Sequence, residues 1–353
     1  MVSAARAFLD LTGARFPVIQ APMAGFAGAD LASAAIGAGA VGSLACATLD
    51  SAGVISEVAA IRGRAEGPLN LNFFCHTLGQ TPDDSAWRDT LAPFYTAEGV
   101  APPTTAPTLR RPFDLAMAEV VEQVRPEIVS FHFGLPAPDL LAGVRASGAL
   151  IFGNATNLAE ARWLAAQGCD AIIAQGSEAG GHAGHFLDGH HPVALANLVP
   201  QIVAAVDVPV IAAGGIADAG DVRAAMAQGA GAVQVGTAYL RTPESLASAT
   251  HRVALDNAGA EDTVFTNLFS GGMARGLRNR LINTLGPVHA AAPRFPYASA
   301  ALAPLRAQAE REGRGDYSPL WAGAGVHRAN TGPAADLTRR LGAAALVLQE
   351  QHA

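Results

Sequence analysis

The 353-residue chain predicts an α/β fold: a (β/α)8 TIM barrel with a second, mostly helical domain built from an insertion and the C-terminal region. Three observations carry this. Between residues 17 and 240, eight short apolar runs alternate with segments of helical pattern, and eight such units close a barrel. Several runs are apolar throughout rather than alternating, as parallel strands covered on both faces are. Two long stretches, 76–112 and everything after 240, stand outside the repeat. A doubly wound open sheet is the structural alternative, and eight clean units favour closure.

The strands are predicted at 17–23 (PVIQAPM), 40–45 (AVGSLA), 68–74 (PLNLNFF), 128–134 (IVSFHFG), 149–156 (ALIFGNAT), 171–176 (AIIAQG), 209–215 (PVIAAGG) and 231–240 (GAVQVGTAYL). Between them lie helical patterns such as DSAGVISEVAAIRG, FDLAMAEVVEQVRP and NLAEARWLAAQG. Many open with Asp or Asn and close on Gly or Pro, residues that cap the unpaired N–H and C=O groups of helix ends. Residues 76–112 carry six prolines, several threonines and the aromatics Trp87, Phe94 and Tyr95, with no strand or clear amphipathic helix. A 37-residue excursion there is too long for an ordinary βα loop and predicts a lid. The expected division is therefore 1–75 with 113–240 as the barrel, and 76–112 with 241–353 as one unit resting on its C-terminal mouth.

Composition removes several functions. Half of the residues are hydrophobic and 15% charged, so the chain is neither disordered nor short of core. The net charge of −7 argues against nucleic acid as a partner. All 23 basic residues are arginine, which excludes a lysine Schiff base, a lysine general base and a Walker-A loop. An anionic substrate would need a locally positive pocket. Three scattered cysteines make no disulfide framework and no cysteine metal site, and fit a reducing compartment. The first residues lack the apolar core of a secretory signal. Leu31–Leu49 has no charge but is rich in Ala, Gly and Ser; a buried helix followed by a buried strand explains it better than a membrane span. A cytoplasmic protein without membrane or nucleic-acid partners is expected, and a homodimer is allowed.

Gly37–Gly42 matches G-x-G-x-x-G, but it follows a helix and precedes a strand, the reverse of a dinucleotide site. Two other glycine sites pass the test of position. Ala213-Gly214-Gly215 ends the seventh strand, and Gln234-Val235-Gly236-Thr237 lies in the eighth. These loops commonly form the phosphate site of a barrel. After the sixth strand, residues 175–191 (QGSEAGGHAGHFLDGHH) concentrate the titratable groups. The spacing is not that of a helical metal pair, and the glycines give ligands no rigid scaffold, so no metal is expected. His182, wrapped by glycines at the mouth, is the best general base or polar contact; His185, His190 and His191 read as loop-surface residues. His132, inside the fourth strand, is either a satisfied core histidine or a substrate contact. Met23, Asn72 and Gln175 end strands one, three and six, where amides can read the edge of a flat heterocycle. Ser177, Glu178 and His182 lack the elbow of a hydrolase triad. Arg275, Arg278 and Arg280 read as a solvated face, or as a clamp between the two units.

These motifs resemble the nitronate monooxygenases, once called 2-nitropropane dioxygenases: FMN-dependent TIM barrels. The matching stretches are PVIQAPMAG (17–25), LNFF (71–74), SFHFG (130–134), QGSEAGGHAGHF (175–186), PVIAAGGIAD (209–218), QVGTAYL (234–240), ARGLRNR (274–280) and DYSPLWAG (316–323). The resemblance implies FMN contacts at Met23, Asn72, Gln175, Gly180, Gly214, Gly215 and Gln234–Thr237. It makes His182 catalytic, with His132 and Tyr297 beside the substrate. The implied reaction oxidises an alkyl nitronate with molecular oxygen to a carbonyl compound and nitrite. The alternative is an NAD(P)H-dependent flavin reductase of quinones or enoyl thioesters on the same barrel.

Overall fold

The computed structural model describes residues 3–104 and 109–350. Eight parallel strands form the barrel: β1 (Val18–Gln20), β2 (Gly42–Ala45), β3 (Leu69–Phe74), β4 (Ile128–His132), β5 (Leu150–Ala155), β6 (Ala171–Gln175), and, after the two-residue strand β7 (Gly181–His182) that leaves the ring, β8 (Val210–Ala213) and β9 (Ala232–Val235). Their order is β1-β9-β8-β6-β5-β4-β3-β2, and a parallel bridge from Ile19 to Val41 closes the circle. The apolar runs form these strands because both faces are covered: every residue of β3 is buried, amides included. Gly42 shows how tightly the outer layer sits. A Cβ there would lie 2.6 Å from the Ala32 carbonyl oxygen of the helix Ala29–Ala38.

The helix starts follow the cap residues. Asp50 accepts from Gly53 N–H at 2.8 Å, Asp114 from Met117 N–H at 3.0 Å and Asn157 from Glu160 N–H at 3.0 Å; Asp218 and Asp221 form a capping box. The eighth apolar run is a strand only to Val235. From Thr237 to Leu240 it is a short helix, because Gly236 turns the chain out of the sheet.

The excursion departs from expectation. It contains a 14-residue helix, Ser85–Glu98, with Pro93 inside it. That helix buries Trp87, Leu91, Phe94 and Tyr95 against Leu281, Leu302, Leu305 and Tyr317, a second core separate from the barrel's. Trp87 Nε1–H donates to the Ala298 carbonyl at 3.2 Å and Tyr95 O–H to that of Ala301 at 2.6 Å. Glu98 joins the segments by charge, accepting from Arg280, Arg314 and Tyr317. After 240 the chain is not only helical: β10 (Thr263–Thr266), β11 (Ala274–Leu277) and β7 make a three-stranded antiparallel sheet. The last helix, Ala334–Glu350, lies elsewhere than the lid reading puts it. It packs outside the barrel against the helices Ala29–Ala38 and Ala219–Ala227. Among the described residues no helix is long and apolar enough to cross a membrane.

Candidate active site

The C-terminal ends of the barrel strands, with Arg110 and Trp321, surround a cavity with about 1290 Å3 of empty space, part of it open to solvent. Its wall brings together Met23, Asn72, His132, Gln175, Gly180, His182, Gly214, Gly215, Gln234, Gly236 and Thr237. Two residues singled out from sequence are not in that wall. Val235 faces the hydrophobic core, because side chains alternate along β9. Tyr297 is buried away from the cavity and donates its hydroxyl to the Gly79 carbonyl at 2.9 Å, tying the excursion to the C-terminal region.

One end of the cavity is backbone. Segments around Gly180, Gly214–Gly215 and Gly323–Gly325 meet so closely that a Cβ on Gly180 would stand 2.6 Å from Ala322 C and Gly323 N, and one on Gly325 would stand 2.5 Å from Gly215 O. Gly214 and Gly215 have φ of +126° and +68°, a region side chains avoid. The N–H groups of Gly214, Gly215, Gly236 and Thr237 take no acceptor among the described residues. Thr237 Oγ1 accepts from Gly323 N–H at 2.9 Å, and Arg328 donates to Gly215 O at 2.8 Å, fixing the loops from outside. Beside them, Gln234 Oε1 is a buried acceptor with no partner among the described residues. Buried acceptors are rarely left so; this one calls for a donor supplied by a ligand.

At the other end the His182 strand is held by amides. Gln175 Nε2–H donates to His182 O at 2.9 Å, while Gln175 Oε1 accepts from Gly184 N–H at 2.9 Å and Asn154 Nδ2–H at 3.1 Å. Gln175 is thus spent on positioning β7. His132 Nε2 also meets His182 O, at 3.2 Å; a carbonyl only accepts, which places that proton on Nε2. Burial, foremost, lowers the His132 pKa to about 4. The His182 pKa falls well below the usual histidine value, first from burial and then from the positive charge of Arg110. Its Nε2 pairs with Ser270 Oγ at 2.8 Å, and its Nδ1 takes no partner among the described residues. His182 is therefore a neutral imidazole with one free nitrogen.

An aromatic shell surrounds that imidazole, with ring centroids of Phe74, Phe133, Phe295 and Trp321 between 5.1 and 6.2 Å away. Phe133 is held at φ +68°, unusual for a bulky residue and costly unless packing compels it. Sequence reasoning missed this shell, and also Ser270 and Arg110. Arg110 lines the cavity, half-buried, from the Pro/Thr-rich excursion.

The remaining motif residues take other roles. Glu178 accepts from Leu195 N–H at 2.9 Å and His182 turns to Ser270, so no hydrolase triad assembles. The rings of His185 and His190 lie tilted with centroids 5.4 Å apart, and His190 meets Phe265 edge-on at 4.5 Å. Among the described residues no three His, Cys, Asp or Glu side chains converge as metal ligands. Arg275 is a clamp, donating to Ser177 O at 2.8 Å.

Comparison with known proteins gives the family. The family profile described as nitronate monooxygenase matches residues 6–343. A nitronate monooxygenase of Pseudomonas aeruginosa is 38% identical over 341 residues, 95% of this chain and 97% of that protein. Among solved structures, a nitroalkane oxidase from Streptomyces ansochromogenes is similar with TM-score 0.87 and 34% identity, over 98% of this chain and 99% of that one. FabK from Thermotoga maritima, at 22% identity and TM-score 0.71 over 98% and 97%, shares the fold alone.

Proposed function

The chain belongs to the nitronate monooxygenase family, and from that premise we propose that its cavity holds FMN and uses it to oxidise alkyl nitronates with molecular oxygen to a carbonyl compound and nitrite. The observation that carries the cofactor is the pair of unmet needs at one end of the wall. Among the described residues four backbone N–H groups find no acceptor and the buried Gln234 Oε1 finds no donor. FMN offers a phosphate to the first and a ring N–H to the second. Gly214, Gly215, Gly236 and Thr237 would hold the phosphate; Met23, Asn72 and Gln234 would line the ring. When bound, the flavin supplies the redox chemistry, accepting electrons from the nitronate carbon and delivering them to oxygen.

The protein's own part centres on His182. With Ser270 O–H donating to Nε2, the imidazole carries its proton on Nδ1 and donates to a nitronate oxygen. With Nε2–H donating to Ser270, Nδ1 is a free base able to take an α-proton from a neutral nitroalkane. The lowered pKa keeps both tautomers uncharged at neutral pH. His132 and Gln175 hold the His182 carbonyl from the barrel side. The aromatic shell excludes water around the reacting carbon, and residues 76–104 and 109–112 with the region from 241 to about 330 cover the mouth.

Purified protein tests this. Its visible spectrum should show flavin bands, heat release should yield FMN, and an alkyl nitronate should drive oxygen uptake with nitrite formation. A colourless protein, bound FAD, or steady NAD(P)H consumption without nitronate would overturn the reading.

A further inference from the structure

We propose that Arg110 is the anion-binding residue of the cavity, its guanidinium gripping the two oxygens of the nitronate and selecting the anion over the neutral nitroalkane. This rests on the reading of the cavity as a nitronate site.

The argument begins with charge. The protein is acidic overall, at −7, and has no lysine. Among the residues lining the cavity, Arg110 is the single arginine, and no carboxylate lines it. The two histidines there, His132 and His182, are held neutral by burial. The positive charge of the wall therefore resides on this guanidinium.

That charge is not neutralised from within. Among the described residues Arg110 makes no salt bridge and its guanidinium donates no hydrogen bond, although every N–H of the group is a donor. The preceding residues Thr105, Ala106, Pro107 and Thr108 carry no charge to offer. A half-buried cation without a counter-charge among the described residues is costly, and burial accordingly disfavours its charged form. An arginine nevertheless stays ionised at neutral pH. Such a group is satisfied by an anion that arrives with the substrate.

Its placement fits. Arg110 lines the cavity together with His182 and Phe74, and the His76 ring that meets its carbonyl lies 4.8 Å from the Phe295 ring, itself 5.1 Å from that of His182. Its backbone is clamped there. His76 Nε2–H donates to the Arg110 carbonyl at 3.1 Å, and Phe113 N–H donates to Phe74 O at 2.7 Å, closing both ends of the excursion onto β3. A planar fork of donors matches a planar O–N–O group as it matches a carboxylate, by two parallel hydrogen bonds. The neutral nitro group offers no net charge to that fork and gains far less.

The test uses the FMN-loaded protein, with Arg110→Met and Arg110→Lys beside the parent. Three quantities are read: KM and kcat for butyl-1-nitronate, the same for neutral 1-nitrobutane, and the Kd of butyrate by calorimetry as a non-reacting planar anion. Removing the charge should raise the nitronate KM and the butyrate Kd by about 10–100-fold, the worth of hydrogen bonds to a charged group. The nitroalkane KM should change little, because that substrate binds uncharged, while its kcat falls as the anion formed on proton removal loses its partner; Arg110→Lys should recover part of both losses. Parent-like nitronate KM and butyrate Kd in both variants would overturn the proposal while leaving nitronate oxidation in place. If Arg110→Met does not fold, Arg110→Lys alone decides: a weakened butyrate Kd supports the fork, an unchanged one refutes it. Should the parent bind butyrate through Arg110 yet oxidise no nitronate, the anion site stands and the proposed reaction falls.

Discussion

Ser270→Ala removes one hydroxyl and leaves His182 in its aromatic shell. Ser270 is 2% exposed, and its Oγ is the partner found for His182 Nε2, at 2.8 Å. It lies outside the cavity wall, so the substitution touches neither the phosphate cradle nor the ring site. Deleting one member of a buried pair costs the desolvation of the other, about 1–3 kcal/mol. If that cost appears as lost orientation of the imidazole, kcat/KM falls by about 5- to 150-fold. The fall should sit mainly in kcat and be larger for the neutral nitroalkane, because removing its proton needs the base tautomer held in place, whereas the preformed anion needs no proton removed. Oxygen uptake and nitrite release, normalised to bound flavin, read it directly, and Ser270→Thr, which keeps the hydroxyl, should recover part of the activity. Parent rates on both substrates at parent flavin content would refute the idea that Ser270 sets the His182 tautomer.

Three further outcomes are expected. Gly180→Ala puts a Cβ 2.6 Å from backbone atoms of Ala322 and Gly323, far inside ordinary contact, so the glycine segments must part; flavin content after gel filtration should drop, and full retention would show the cradle is not where FMN binds. His132 and His251 are held near pKa 4 by burial, below the unfolded value of about 6.5. The unfolded chain therefore binds protons first. Stability from this source is whole above pH 6.5 and is lost as pH falls to about 4, on the order of 3 kcal/mol for each; the Tm should decline over that range, less steeply in His251→Asn, whereas a flat profile contradicts it. Trp87→Ala empties the centre of the second core and should cost about 3–5 kcal/mol, read by denaturant melts; a loss below 1 kcal/mol would mean that core is not closed.

The barrel was legible because its signal is redundant. Runs such as Leu69–Phe74 are buried on both faces, and the caps Asp50, Asp114, Asn157 and Asp218 mark where helices begin. The glycine loops could be placed from their position after the last two strands. What escaped notice were features made by tertiary contact alone. The helix Ser85–Glu98 hides behind Pro93 and the surrounding prolines, and its apolar face shows only when the second core is assembled. Strand β7 is two residues long and exists because β11 lies beside it. Arg110 is one of two adjacent arginines, with Arg111, in a Pro/Thr-rich stretch, and Ser270 lies 88 residues from the histidine it supports; neither spacing carries a motif. Tyr297 was placed by resemblance, and its hydroxyl turns to Gly79 instead. The absence of lysine was the useful hint, because it said that a positive pocket had to come from an arginine.

The claim at the centre is that the neutral imidazole of His182 faces the reacting substrate. The most direct measurement is His182→Asn, with bound flavin matched to the parent, assayed by oxygen uptake on butyl-1-nitronate and on 1-nitrobutane in parallel. An acid–base group is worth about 10²–10⁴-fold, so turnover of the neutral nitroalkane should fall by that much. Turnover of the preformed anion, which needs no proton removed, should fall far less. Parent rates on both substrates, with full flavin, would contradict the assignment and move the site to another residue.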